Sequence, residues 1–202
     1  KGEYVFESEY QYLDRIDSPA DLKRLKVSEL NILAKEIRDK IIKTVALTGG
    51  HLGSPLGAVE LTIALHYVFD SPRDRIVFDT GHQCYPHKLL TGRKKDFHKL
   101  RQHKGIGGFC RIDESEHDAF GAGHAGTAVS AALGMALARD VKKENYNVAA
   151  LAGDAAFGTG LTFEALNNLG YLKTDMLIVL NDNDMSISPS TGAMSNYLKK
   201  AS

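Results

Sequence analysis

Two polar residues that follow apolar runs in the second half of the chain could share a metal ion. Asp154 follows the run 147–152 after one glycine, and Asn183 follows the run 176–180. A helical pattern separates them, so the unit is typical of two parallel strands whose carboxyl ends lie at one sheet edge. A carboxylate and an amide oxygen suit Mg²⁺, which binds oxygen ligands beside phosphate and water. Capping of a helix or turn by Asp and Asn explains the same residues about equally well.

Three glycine-rich stretches carry histidines that could contact a ligand or transfer protons. Glycines let the backbone pass close to a ligand, and an imidazole that titrates near neutrality can donate or accept a proton. A loop histidine is more often a surface residue, so its type alone leaves a catalytic role undecided. His87, which follows Pro86, is expected to form a structural hydrogen bond instead. The stretches are GGHLGSPLG with His51, TGHQCYPHK with His82, and GAGHAGT with His124.

Two segments could attract a negatively charged group. GAGHAGT precedes a small-residue helix predicted over 127–139, and the first turn of a helix has unpaired amide donors. Close packing of that helix against a sheet accounts for its small residues equally well. The basic cluster Arg93, Lys94 and Lys95 could bind phosphate, but a solvated loop surface is the favoured interpretation.

Apolar periodicity predicts the elements that must position these residues. A helix beginning near Ser28 has apolar residues three and four positions apart and ends at Gly49 and Gly50. A second helix over 59–69 is apolar on nearly every side, so we expect it to be buried. Strand-like runs alternate with helical ones, which predicts an α/β fold with a mainly parallel sheet flanked by helices. The remaining predicted elements are strands at 75–79, 147–152 and 176–180, a helix at 159–169, and an N-terminal segment, 1–27, that wraps around the domain formed by 28–202.

Composition and charge exclude several classes of function. The chain of 202 residues is 43% hydrophobic and 25% charged, which is ordinary for a globular protein. Lys and Arg together number 25, as do Asp and Glu, so we expect neither a nucleic-acid nor an anionic membrane partner. Its apolar runs are all shorter than the ~18 residues of a membrane span. Cys84 and Cys110 form no CxxC motif, which favours a reducing compartment, and the first residues resemble neither a signal nor a transit peptide.

Four strings in the same order resemble the thiamine diphosphate enzymes of the transketolase superfamily, and most of all its 1-deoxy-D-xylulose-5-phosphate synthase family. The strings are GGHxGS at 49–54, GHQxYPHK at 81–88, GAGH at 121–124, and GD at 153–154 followed by NDNDMSIS at 181–188. The resemblance implies the thiamine diphosphate-binding fold, with the family's later domains absent from this chain. It also implies a homodimer in a bacterial cytoplasm, with a plastid stroma as the alternative.

The resemblance implies a reaction and a role for individual residues. Pyruvate would condense with glyceraldehyde 3-phosphate to give 1-deoxy-D-xylulose 5-phosphate and CO₂, the first step of a route to isoprenoid precursors. Thiamine diphosphate and Mg²⁺ would be the cofactors, and His51 and His124 the catalytic histidines. The implied metal ligands are Asp154, Asn183 and Met185, and the implied cofactor contacts are His82, Gly123, His124, Ala125, Gly153, Ala155, Ala156 and Asn183.

The sequence departs from the family pattern in two of these strings. The family's GHSSTS reads GHAGTA at 123–128, and its GDG reads GDA at 153–155. The departures keep open a degenerate, non-catalytic relative that binds the cofactor or a partner. A transketolase acting on other ketoses is a third interpretation. In the family a later domain supplies the glutamate that activates the cofactor, and Glu164 is expected to face the sheet edge or solvent.

Overall fold

Three parallel strands form the sheet at the centre of the domain. A computed structural model describes residues 9–182 of the chain. Gly153 lies directly opposite Asn181, so the second and third strands end side by side. The predicted α/β class, with a parallel sheet flanked by helices, is confirmed. Within the described range the strands pair in the order β1 (Arg75–Phe78), β2 (Val148–Gly153) and β3 (Leu177–Asn181).

Helices surround this sheet, and the periodicity predicted the four longest of them. None of the helices within residues 9–182 is both long and apolar enough to cross a membrane. The helices before β1 are α1 (Pro19–Leu22), α2 (Val27–Thr48), α3 (Gly53–Gly57) and α4 (Val59–Val68). Those after it are α5 (Tyr85–Leu90), α6 (Ala128–Lys142), α7 (Asp154–Phe157) and α8 (Gly160–Leu172), with 3₁₀ turns at Leu13–Arg15 and Lys94–Lys99.

Two helix ends differ from the prediction for local reasons. Ser28 does not cap α2, because the helix has already begun at Val27 and the Glu29 carboxylate accepts the N–H of Lys26 at 2.7 Å. Gly170 does not end α8, which continues until Lys173 adopts a left-handed φ of 53°. An interior glycine costs a helix only about 1 kcal/mol, so the flanking helical residues outweigh it.

The alternating side chains of the strands divide the core into two clusters. Ile76 and Phe78 point to the side that also holds α2, α4 and α5, whereas Val77 points to the side of α6 and α8. Successive strand residues face opposite ways, so both faces of a parallel sheet are covered. The helices carrying the loops of the site are thereby fixed on opposite faces of one sheet.

The N-terminal segment is anchored to α2 and to the basic cluster. Glu36 on α2 accepts the N–H of Leu13 at 2.7 Å, and the Lys94 ammonium donates to the carbonyls of Leu13 and Ile16 at 2.7 and 2.8 Å. The expectation that the basic cluster is a solvated loop surface is therefore wrong for Lys94, and also for Arg93, which is buried. Only Lys95 of the cluster is exposed.

Arg93 belongs to a buried ionic cluster beneath α5. Its guanidinium forms two bonds of 2.8 Å to the Asp118 carboxylate, which also accepts the Arg111 N–H at 2.7 Å. The buried Lys88 pairs with Glu114, and Glu114 accepts the Gly107 N–H at 2.6 Å. These two inward-facing carboxylates hold the loop between the second 3₁₀ turn and α6 against α5.

Two stacked histidines extend the ionic cluster into the core. His87 contacts Asp118 through Nε2 and His66 through Nδ1, each at 2.8 Å. A carboxylate only accepts, so His87 Nε2 carries the proton and Nδ1 accepts from His66 Nε2–H. Burial lowers the pKa of His87 to about 4, and burial followed by the charge of His87 lowers that of His66 well below 6.5. Both rings are therefore neutral near pH 7, and the structural role expected of His87 is supported.

Acid is expected to loosen α5 before the carboxylates titrate. A histidine whose pKa is lower in the folded state stabilises the fold above its unfolded pKa of 6.5, and this contribution falls as the pH drops towards about 4. The loss is up to about 1.4 kcal/mol per pH unit for each proton taken up. Hydrogen exchange over 85–90, corrected for intrinsic rates, should show this slope between pH 6.5 and pH 4.5. His98→Gln, at an exposed histidine, should leave the slope unchanged; protection independent of pH would contradict the prediction.

Candidate functional site

The carboxyl ends of all three strands are followed by acidic residues at one edge of the sheet. Asp79 follows β1, Asp154 follows β2, and Asp182 lies one residue beyond Asn181 at the end of β3. Because Gly153 and Asn181 are paired, the backbones at Asp154 and Asp182 are neighbours, and the prediction that the two strands end at one sheet edge is confirmed. Asn183 and Met185, the other predicted metal ligands, lie outside the described residues.

Asp79 has a different role from the other two acids and was missed in the sequence. Its carboxylate is 1% exposed and accepts the N–H groups of Gly126 and Ala128 at 2.9 and 3.0 Å. These amides open α6, so Asp79 binds the start of that helix and fixes the end of the GAGHAGT loop. The only signal in the sequence was an acid at a strand end, the same signal that marked Asp154.

His51 and His82 come together from different parts of the chain. Their ring centroids are 5.6 Å apart in an edge-to-face arrangement, and the Phe109 ring lies 5.9 Å from that of His51. The buried Tyr85 hydroxyl accepts the backbone N–H of His51 at 3.2 Å. Tyr85, which the sequence did not single out, therefore links the GGHLGS loop to the helix that follows His82.

Both histidines of this pair are held neutral. Burial and then the charge of Arg101 lower the pKa of His51 below its ordinary value, and burial and then His51 lower that of His82. The Nδ1 atom of each ring is buried and lacks a hydrogen-bond partner among residues 9–182. Two neutral imidazoles with unused ring nitrogens can bind a polar group or accept a proton.

His124 lies apart from the histidine pair, on the exposed loop before α6. Its side chain and that of Ala125 are exposed, and its carbonyl accepts the Thr127 hydroxyl at 2.9 Å. A Cβ atom added at Gly123 would meet no atom of the described chain within 4 Å, so a ligand can approach this backbone closely. The structure therefore presents GAGH as an accessible loop, with its buried end tied to Asp79.

The turn after β2 carries the remaining predicted contacts. Asp154 begins α7, Ala155 is exposed, and Ala156 is buried. Gly153 lies close to Gln83, whose amide nitrogen would be 3.3 Å from a Cβ added there. The GDA turn is thus adjacent to the residue that follows His82. The exposed Glu164, expected at the sheet edge or in solvent, is in solvent.

A second group of potential metal ligands is fully committed to other partners. One ligand atom from each of His87, Cys110 and Asp118 lies within 4.8 Å of the others. Both ring nitrogens of His87 and both oxygens of Asp118 are already hydrogen bonded, and Arg93 places a positive charge beside them. Contact with the Cys84 thiol and burial raise the pKa of Cys110, which keeps that thiol protonated. This group is therefore a structural core and not a cation site.

Removing the Asp79 carboxylate should destabilise the start of α6. Asp79→Ala leaves two buried amide donors unpaired, and each hydrogen bond to a charged group is worth about 1.5–3 kcal/mol. We expect a loss of at least about 2 kcal/mol, measured by thermal unfolding of the complete protein that contains this chain. Asp113→Ala removes an exposed carboxylate and should change little. Equal unfolding midpoints for the two variants would contradict the assigned role.

Removing the charge of Arg101 should raise the pKa of His51. A nearby cation disfavours the imidazolium, so Arg101→Gln makes protonation of His51 easier. Titration of ¹³C-labelled histidine followed by NMR should show the His51 transition at higher pH in the variant. Lys99→Gln removes a cation that pairs with Asp96 and should leave His51 unchanged. An unchanged or lower pKa in Arg101→Gln would show that burial alone sets it.

Known proteins resemble this chain over nearly its whole length. A family model described as 1-deoxy-D-xylulose-5-phosphate synthase matches residues 13–202. Proteins with that name are 59% identical in Dehalococcoides mccartyi, over 92% of this chain, and 59% identical in Dictyoglomus turgidum, over 93%. A further one in Methylacidiphilum infernorum is 60% identical over 93% of the chain.

The match covers one end of longer proteins. The chain spans 29% of the D. mccartyi protein and 30% of each of the other two. The family model covers most of the chain, and the identities are near 60%. Both findings support the resemblance that the ordered glycine-rich and acidic strings indicated. The chain belongs to the 1-deoxy-D-xylulose-5-phosphate synthase family.

Proposed function

We propose that the complete protein condenses pyruvate with glyceraldehyde 3-phosphate to 1-deoxy-D-xylulose 5-phosphate and CO₂. In this proposal residues 28–202 form the part that binds Mg²⁺ and the diphosphate of thiamine diphosphate. Residues 1–27 wrap around it, and the rest of the protein supplies the remaining domains. The homodimer and the bacterial cytoplasm implied by the resemblance belong to the same proposal. The observation that supports it is the pairing of Gly153 with Asn181, which places the first residues of the GD and NDNDMSIS strings side by side at one sheet edge.

The residues present fit a polar, phosphorylated cofactor. Four buried polar atoms near the strand ends have no partner within the described chain, and a bound polar molecule would satisfy them. A Cβ at Gly123 would meet no atom of residues 9–182 within 4 Å, so this backbone is open to a ligand. The unpartnered atoms are Nδ1 of His51, Nδ1 of His82, Oε1 of Gln83 and Nδ2 of Asn181.

The donor set at the strand ends also fits Mg²⁺. Asp154 offers a carboxylate on the β2 turn, and oxygen ligands of this type are those that Mg²⁺ prefers. Asn183 and the Met185 backbone would complete the set from the segment beyond β3. Gly153, Ala155 and Ala156 would face the diphosphate from the same turn as Asp154. His82, Gly123, His124 and Ala125 are the other cofactor contacts in this proposal.

The chemistry assigned to this chain is binding, orientation and proton transfer. The cofactor, when bound, supplies the ring that stabilises negative charge at the reacting carbon. The neutral rings of His51 and His82 are able to accept a proton or a hydrogen bond from a substrate hydroxyl, or to donate a hydrogen bond to a substrate carbonyl. The Phe109 ring packs beside His51, with the ring centroids 5.9 Å apart. His124, on the accessible loop before α6, would contact the cofactor and transfer protons from that side of the site.

The departures from the family strings do not remove the groups that this proposal needs. Ala125 and Ala155 are both exposed, and the backbone amides at these positions remain. A backbone donor is unaffected by the loss of a side-chain hydroxyl. The buried N–H groups of Gly126 and Ala128 donate to Asp79, and these backbone hydrogen bonds do not use the side chains at 126 and 128.

The proposal is tested by removing the carboxylate of Asp154 from the complete protein. Loss of a metal ligand should lower product formation from pyruvate and glyceraldehyde 3-phosphate at least about a hundredfold at limiting Mg²⁺. Glu164→Ala removes an exposed carboxylate on α8 and serves as the matched control. Full activity in Asp154→Ala would reject the site assignment. Product from a ketose phosphate donor but not from pyruvate would point to a transketolase. If the complete protein does not bind the cofactor, it is a non-catalytic relative.

A further inference from the structure

Gly126 is enclosed on every side by residues from elsewhere in the chain. Its N–H donates to Asp79 at 2.9 Å, and its carbonyl accepts the Thr162 hydroxyl at 3.4 Å. Its φ of 84° lies in the left-handed region that glycine adopts most easily. A Cβ atom at this position would lie 2.0 Å from Thr159 Oγ1 and 2.9 Å from Thr159 Cβ. While Thr159 is in place, no residue larger than glycine fits.

Thr159 cannot move away to make room. Its hydroxyl donates to the Ala156 carbonyl at 2.8 Å, and the same oxygen accepts the N–H of Thr162 at 3.4 Å as the N-cap of α8. Threonine is branched at Cβ, so its side chain has few alternative rotamers. The side chain is therefore a fixed projection from the segment that begins with Asp154, and Gly126 is the recess that receives it.

We infer that Thr159 is a positioning residue that sets the spacing between the GHAGT loop and the GDA turn. This inference rests on the proposed function, in which the diphosphate lies between these two segments. The family's string has serine where this chain has Gly126. The space that a serine side chain would need is taken here by Thr159, so the change at 126 is one half of a coupled pair. Larger residues at 126 and Thr159 exclude each other.

A simpler role for Thr159, helix capping alone, makes a different prediction. Glycine at an N-cap costs only a few tenths of a kcal/mol relative to threonine, so capping predicts a small effect of Thr159→Gly in any background. The coupled pair predicts that Thr159→Gly rescues a serine at 126. A rescue is a result that capping cannot produce.

The test is a double-mutant cycle in the complete protein, with thiamine diphosphate and Mg²⁺ as the probe. Gly126→Ser should raise the KM for thiamine diphosphate at least about tenfold, with kcat at saturating cofactor within about threefold of the parent. Thr159→Gly alone should raise that KM only a few-fold, because glycine is nearly as good an N-cap as threonine. The double variant should recover part of that loss, at least about threefold, but not all of it, because the positive φ at position 126 strains a serine even without Thr159. A double variant no better than Gly126→Ser, or a Gly126→Ser protein that behaves as the parent, would overturn the inference.

A second readout keeps the inference separate from the proposed function. Thermal unfolding without cofactor should show the same cycle, with Gly126→Ser lowering the midpoint by at least about 3 °C and Thr159→Gly restoring part of that loss. Gly134→Ser is the matched control, because a Cβ at that exposed position of α6 meets no atom of the described chain within 4 Å. A protein that shows the unfolding cycle but neither binds nor uses thiamine diphosphate would reject the proposed function and retain the coupling. A protein that is active but shows no rescue would reject the coupling and retain the proposed function.

Discussion

The parallel pairing of β2 with β3 is the constraint on which the rest of the site depends. It places Gly153 beside Asn181 and so aligns the residues that follow each strand. The packing of the strand side chains fixes this register, because a one-residue shift would turn every strand side chain to the opposite face. Because both faces of the sheet are covered by helices, such a shift would force the apolar cores on both faces to repack.

The same sequence signal, an acid after a strand, occurs in different surroundings at neighbouring strand ends. Asp79 meets the amides that open α6 and is buried by them, so it serves the fold. Asp154 begins the short helix α7 on a partly exposed turn, where a ligand can reach it. An acid at a strand end therefore indicates only its location. Its function depends on which amides the tertiary structure brings to it.

Local patterns in the sequence predicted the elements well and their partners poorly. The strand runs and the long α2 repeat are local, so their positions were predicted within a residue or two. The burial of Arg93 and Lys94 was not predicted, since their partners Asp118 and Leu13 lie far along the chain. Charge runs are usually solvated, and no local feature distinguishes a run whose counter-charges arrive from a distant loop. The approach of His51 to His82 was missed for the same reason, although each was recognised singly.

A difference in a motif is informative only when the contacts of the changed residue are known. Ala155 and Ala125 are exposed and keep their backbone amides, so these changes leave the donors of their loops in place. Gly126 is buried against Thr159, and there the absence of a side chain is a packing requirement. From the sequence alone, these three of the four changed positions look like equal departures from the family pattern. In the structure, the changes at Ala125 and Ala155 keep the backbone donors, whereas Gly126 packs against Thr159, a residue outside the motif. Relatives should therefore be compared at the contacting pair and not at position 126 alone.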